Sequence, residues 1–247
     1  MPVSAQPSLS RRLTAEALGT ALLLAAVVGS GIMAERLSGG NVGLALLANA
    51  LATGGALVAL ILTFGPISGA HFNPAVTLAD ASQRGLAWRE APLYVAAQVS
   101  GAFAGVAAAH LMFGEPLFAV SAHVRSGASQ VFSEGLATFG LVSVIWGVSR
   151  SRATVVPFAV AAYIVGAYWF TASTSFVNPA VTLARAATDT FAGIRPADVP
   201  AFLLAQLVGA ALATVLFRWL SPAVPAIASE LVVPHGRTPT AHERNTP

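Results

Sequence analysis

Six stretches of the chain stay apolar for close to the 20 or so residues that a helix needs to cross hydrocarbon, and the polar residues gather between them. They fall near 12–35, 41–64, 88–111, 131–149, 154–173 and 199–220. Two further segments break the pattern. GPISGAHFNPAVTLADASQRG follows the second stretch and TASTSFVNPAVTLARAATDTF follows the fifth. Each is too short to span after its Pro, yet too apolar for an ordinary surface loop. That combination predicts two re-entrant half-helices, which are tolerated at membrane depth only where protein or a water-filled cavity surrounds them. The pattern predicts an all-α membrane protein: six transmembrane helices plus two half-helices. A single channel-like domain, 11–221, is expected between tails at 1–10 and 222–247 that read as disordered.

The two halves of the chain echo one another. EALGTALLLAAVV, from Glu16, returns as EGLATFGLVSVIW from Glu134. AHFNPAVTLAD around Asn73 matches SFVNPAVTLAR around Asn178, and LYVAAQVSGA with Gln98 matches AFLLAQLVGA with Gln206. The repeats run over 11–111 and 131–221. Three spans per repeat is an odd number, so the second copy enters the membrane from the opposite face, and the internal repeat is inverted. Inversion aims both half-helices at the bilayer centre. Each Asn-Pro-Ala opens one of them, with Pro at the first position, where its missing N–H would be unpaired anyway. Two positive dipole ends then meet at one place, and the amides of Asn73 and Asn178 add donors beside them. Such a site rejects cations and orients a water or hydroxyl oxygen. It holds no acid, base or nucleophile, so it conducts and does not catalyse.

Composition agrees. Charged residues make up 9% of the 247 positions and hydrophobic ones 55%, with a mean hydropathy of +0.72. A soluble domain carries about 25% charged residues, so lipid, not water, covers most of this surface. There is no cysteine, which removes disulfides, thiolate chemistry and cysteine-ligated metals. All 13 basic residues are arginine. They are scattered between apolar runs and form no nucleic-acid patch; they read as topology determinants. Arg11, Arg12, Arg84, Arg89, Arg150, Arg152 and Arg218 fall on one side, and Arg36, Arg125, Arg185 and Arg195 on the other. The excess predicts cytoplasmic N- and C-termini in an inner or plasma membrane. The first apolar run is long enough to span, so it reads as a retained helix and not a cleaved signal.

SGAHFNPAV, the second NPA, the Glu near the start of each repeat and the paired AQ-x-x-GA helices together resemble the major intrinsic proteins, the aquaporins and glycerol facilitators, over about 12–220. The resemblance implies an aquaporin-like right-handed bundle and a homotetramer in which each protomer has its own pore. It also implies a second, extracellular constriction built from four positions. Counted from the two asparagines, these fall on Thr53, Gly166, Ser175 and Val181. The usual pattern places an arginine directly after the second NPA; Val181 stands there instead. The aromatic and histidine of family water channels are absent, as is the Asp that often follows in glycerol channels, where this chain has Thr182. The constriction is expected to be wide and weakly polar. An NPAV motif resembles bacterial members associated with arsenic resistance, which implies glycerol-like polyols, arsenite or related neutral arsenicals, and water as permeants. The alternatives are an ordinary water-selective aquaporin and an ion-coupled secondary transporter, a class that also uses inverted repeats and broken helices. No cofactor or metal is expected, and no enzyme.

The remaining polar residues each carry two readings. Glu16 and Glu134 are ionisable groups within spans, which raises a proton relay; their symmetric placement favours a structural role, holding non-helical backbone. Gln98 and Gln206 are read the same way. His71 sits near the inner mouth and is expected to line the pore, with a pH gate as the alternative. It has no second histidine nearby in sequence for a metal. Arg185 lies one turn beyond Val181 on the same face, so it reaches either the outer vestibule or, like its mirror Asp80, a solvent-exposed half-helix end. The GVAAA and GAALA runs are expected to allow close helix packing. Trp88, Trp146, Trp169 and Trp219 are expected as interfacial anchors.

Overall fold

The computed structural model describes residues 7–221. The expected tails at 1–6 and 222–247 lie outside the described residues. Long helices run over α1 (Leu9–Leu37), α2 (Val42–Ser68), α4 (Ala91–Phe113), α5 (Ala128–Arg152), α6 (Val156–Phe170) and α8 (Val199–Leu220). Two short ones, α3 (Pro74–Ser82) and α7 (Pro179–Arg185), follow α2 and α6. Among the described residues, six helical stretches are long and apolar enough to cross a membrane. Helix α1 starts at Leu9, inside the stretch expected as a tail. Leu9 and Leu13 pack on the apolar cluster of Ala81, Leu86 and Tyr94, which extends the helix past its membrane span.

Local signals set the boundaries. Asn41 caps α2 by accepting from the Leu44 N–H at 3.0 Å. Gly69 closes the same helix in the left-handed region at φ 88°, where a side chain is disfavoured. Pro74 and Pro179 open the half-helices, where a missing N–H is harmless.

The surface and interior are inverted relative to a soluble protein. Leu18, Leu51, Leu62, Leu204, Leu212 and Val215 are exposed, whereas Glu16, Gln98, Glu134 and Gln206 are fully buried. Lipid satisfies the outside; only internal partners satisfy the inside.

Packing follows the sequence repeat. Helix α1 lies against α4, and its counterpart α5 lies against α8. Both half-helices pack on α4 and α8 and touch one another. The main pairs approach closely because glycine lines the seam. A Cβ on Gly101 or Gly105 would sit 2.1 or 2.2 Å from the carbonyl oxygen of Ala17 or Ala21, and one on Gly209 would sit 2.2 Å from that of Gly135. Trp146 departs from expectation. Trp88, Trp169 and Trp219 are exposed, but Trp146 is buried with its indole N–H toward Thr214 Oγ1 at 3.4 Å. Its position on the inner face of α5 outweighs its nearness to the helix end.

Candidate pore and its two mouths

The half-helices meet through their capping asparagines. Asn73 Oδ1 accepts from the Ala75 N–H at 2.9 Å; Asn178 Oδ1 accepts from those of Ala180 and Val181 at 3.0 and 3.3 Å. Each side-chain amide also crosses to the other repeat. Asn73 Nδ2 donates to the Val177 carbonyl at 2.8 Å and Asn178 Nδ2 to the Phe72 carbonyl at 2.7 Å. One N–H on each amide remains for a permeant.

The segments leading into these caps are not helical and are conformationally demanding. Ala70 and Phe72, and in the other repeat Ser175 and Val177, hold φ between 48° and 55°. Such values cost about 1–3 kcal/mol each for residues other than glycine and persist only when the surroundings over-determine them. Two buried carboxylates do so. Glu16 accepts from the N–H groups of His71 (3.0 Å) and Phe72 (2.7 Å), from Ser68 Oγ (2.6 Å) and from Gln98 Nε2 (2.8 Å). Glu134 accepts from the N–H groups of Phe176 (2.8 Å) and Val177 (2.9 Å) and from Gln206 Nε2 (2.7 Å). The glutamines bridge onward to Thr77 and Thr182 of the half-helices, each at 2.8 Å. None of these four side chains lines the cavity.

That cavity, about 90 Å³, reaches from Thr53, Tyr168, Ser175, Val181 and Arg185 at one mouth, past Asn178 and Asn73, to His71. Its walls are mainly apolar, with Leu23, Val27 and Ile61 from the first repeat and Leu141, Ile145 and Val160 from the second. Three of the four expected constriction positions are there. Gly166 is not: it is exposed, with nothing within 4 Å of where a Cβ would lie. In α6 the cavity face is set by Val156, Val160, Ile164 and Tyr168, spaced one turn apart, and a position two residues off that row points about 200° away. Tyr168 takes the place expected of Gly166, with its hydroxyl 3.2 Å from Thr53 Oγ1. The cavity wall here therefore carries an aromatic hydroxyl where a glycine was expected. The four-residue spacing was present in the sequence; counting from the two asparagines passed over it.

Arg185 is 2% exposed and lines the cavity, so it is no solvent-exposed helix end. Asp80, its mirror, is also buried, at the opposite mouth. There His71 Nε2 stands 3.6 Å from Asp80 Oδ2, and His71 Nδ1 lies 3.1 Å from Thr77 Oγ1. A second cavity of about 190 Å³ adjoins, lined by Arg12, Ser68, His71, Asp80 and Glu90 among others. Arg12 and Glu90 are ion-paired at 2.8 Å. Arg125, from the α4–α5 loop, is a buried residue that sequence reasoning missed. Nothing in its local sequence separates it from a topology-setting loop arginine.

The family model for the major intrinsic proteins matches residues 4–173. This chain belongs to that family. As a major intrinsic protein it is a passive channel for water and small solutes, and not an enzyme. The aquaglyceroporin AqpS of Rhizobium meliloti (strain 1021) is 56% identical to it over 220 residues, spanning 89% of this chain and 94% of that one. The aquaporin NIP6-1 of Arabidopsis thaliana is 35% identical over 150 residues, 60% of this chain and 48% of its own length. The X-ray structure of the aquaglyceroporin from Plasmodium falciparum has the same fold, with a TM-score of 0.67 at 22% identity, covering 89% of this chain and 100% of that one.

Proposed function

We propose that this major intrinsic protein conducts small neutral polyhydroxylated solutes together with water. Glycerol-like polyols and uncharged arsenite are the solute class, and the channel works as a homotetramer with both termini cytoplasmic. The carrying observation is the two-sided character of the constriction. Val181, Ile164 and Phe176 offer carbon surface, while Thr53, Tyr168 and Ser175 offer hydroxyls. Ser175 Oγ is buried at the cavity without a hydrogen-bond partner among the described residues. A polyol has the same two sides: carbon on one, hydroxyls on the other. Arsenite at neutral pH is an uncharged trihydroxy species of similar shape. A valine after the second Asn-Pro-Ala leaves room that an arginine side chain would fill. The similarity to an aquaglyceroporin over nearly the whole chain supports the reading.

Stopped-flow light scattering on proteoliposomes tests it. Wild type is expected to pass glycerol and arsenite as well as water. Val181→Arg is expected to cut solute flux by about tenfold or more, a change of some 1.4 kcal/mol in the barrier, and to keep water flux. Water flux alone in both proteins would establish an ordinary water-selective aquaporin instead. Uptake that follows a proton or sodium gradient would establish a transporter.

A further inference from the structure

We infer that cation exclusion at this constriction is carried by Arg185 and Arg125 around the ring of Phe176, in place of a charge at position 181. This rests on the conducting pore proposed above and assigns its charge selectivity to two residues from different elements.

Arg185 comes from the last turn of α7, and its guanidinium carbon lies 3.3 Å from the centre of the Phe176 ring. Arg125 comes from the α4–α5 loop, with its guanidinium 4.9 Å from the same centre. The loop after α7 holds both through three successive carbonyls: Ala192 accepts from Arg185 Nε, and Phe191 and Gly193 accept from Arg125. Arg125 also donates to the Ser173 carbonyl at 3.2 Å and to Thr174 Oγ1 at 3.3 Å, on the segment that carries Ser175 into the constriction.

Neither guanidinium touches a carboxylate; the buried Glu134 carboxylate acts on both only through space. Among the described residues neither arginine forms an ion pair. Asp198 accepts from the backbone N–H of Arg125, not from its side chain, and pairs with Arg195. Among the described residues the Nη groups of Arg185 have no hydrogen-bond partner, although the side chain is buried and lines the cavity. A buried charge offset only at a distance is expensive, and ionisable groups kept at membrane depth are functional by default. Burial brings the Arg125 guanidinium down to about 10, which leaves it charged at neutral pH. His123, exposed on the same loop, lies in this field: partial desolvation, then the charges of Arg125 and Arg185, push its imidazole below the ordinary value, against a smaller opposing pull from Asp189. Two positive charges beside a narrow low-dielectric passage repel cations at longer range than a hydrogen bond acts. A neutral oxygen acceptor still meets the free Nη donors.

The test compares methylammonium with glycerol flux in the same proteoliposomes, with proton leak read by an internal pH dye. Arg185→Gln and Arg125→Gln, which keep a polar planar end group, are each expected to raise the methylammonium-to-glycerol ratio by about tenfold or more. The double variant should raise it further. Arg185→Lys should keep the ratio low, and adding Val181→Arg to Arg185→Gln should lower methylammonium flux relative to water, the reference here because Val181→Arg also reduces glycerol flux. A double variant that conducts glycerol with an unchanged cation ratio overturns this assignment and leaves exclusion with the central half-helix ends. Wild type that passes no glycerol sinks the functional reading instead. Titration of His123 by NMR in the wild type at low and high salt covers the case of variants that fail to fold: a lowered value that rises as salt screens the arginine charges is expected, and a value that salt does not move would show that no net positive field acts there.

Discussion

Glu134→Ala is expected to abolish conduction and to leave little folded protein. The carboxylate accepts from three donors, and each buried donor left unpaired costs about 1–3 kcal/mol. The sum, about 3–9 kcal/mol, rivals the 5–15 kcal/mol that holds a typical domain together. The segment also loses what holds Ser175 and Val177 at positive φ, so it is expected to relax, pulling Ser175 and Asn178 out of place. Glu134→Gln should fall between, since its oxygen takes one N–H while its amide faces the other. Thermal unfolding in detergent and water flux in proteoliposomes check both. A Glu134→Ala protein that melts and conducts like wild type would show that the segment needs no carboxylate. Glu16→Ala should be at least as severe, because Glu16 serves four donors.

The second large effect is expected at the helix seams. Gly209→Val places a Cβ about where the Gly135 carbonyl oxygen lies, at 2.2 Å, and Gly105→Val does the same against the Ala21 carbonyl. Both obstacles are backbone, so no rotamer change relieves them, and α8 must move away from α5, or α4 from α1. Overpacking a core typically costs about 1–3 kcal/mol when side chains can adjust, and more when they cannot. Helix separation here also disturbs Gln206 or Gln98, whose amides tie the carboxylate to the half-helix. The expected result is loss of monodisperse protein on extraction. Gly55→Ala, where nothing lies within 4 Å of the added Cβ, should be tolerated; equal tolerance at Gly209 would refute the close-approach account.

The fold was largely legible because a bilayer reduces the choices. Spanning segments must satisfy their own backbone, so apolar length alone locates six helices, and short apolar segments after a proline locate the half-helices. Repetition of Glu, Gln and Asn-Pro-Ala located the polar framework residue by residue. Its partners came only with the fold: which N–H groups Glu16 and Glu134 receive depends on non-helical backbone that no propensity describes.

The constriction was legible in part. Counting from the asparagines named Thr53, Gly166, Ser175 and Val181; all but Gly166 line the cavity, since the rotation of α6 and not the count decides which of its side chains faces inward. The sequence by itself determined an inverted pair of three-helix repeats, two half-helices meeting at asparagines, and a valine directly after the second Asn-Pro-Ala. Each is a matter of length, period or residue identity along the chain. Only the tertiary structure decided that Tyr168 shares the constriction, that Trp146 is buried, and that Arg125 joins Arg185 at one phenylalanine ring. Those are meetings of side chains from separate elements, and rotation, loop path and burial arrange them, none of which is written in local sequence.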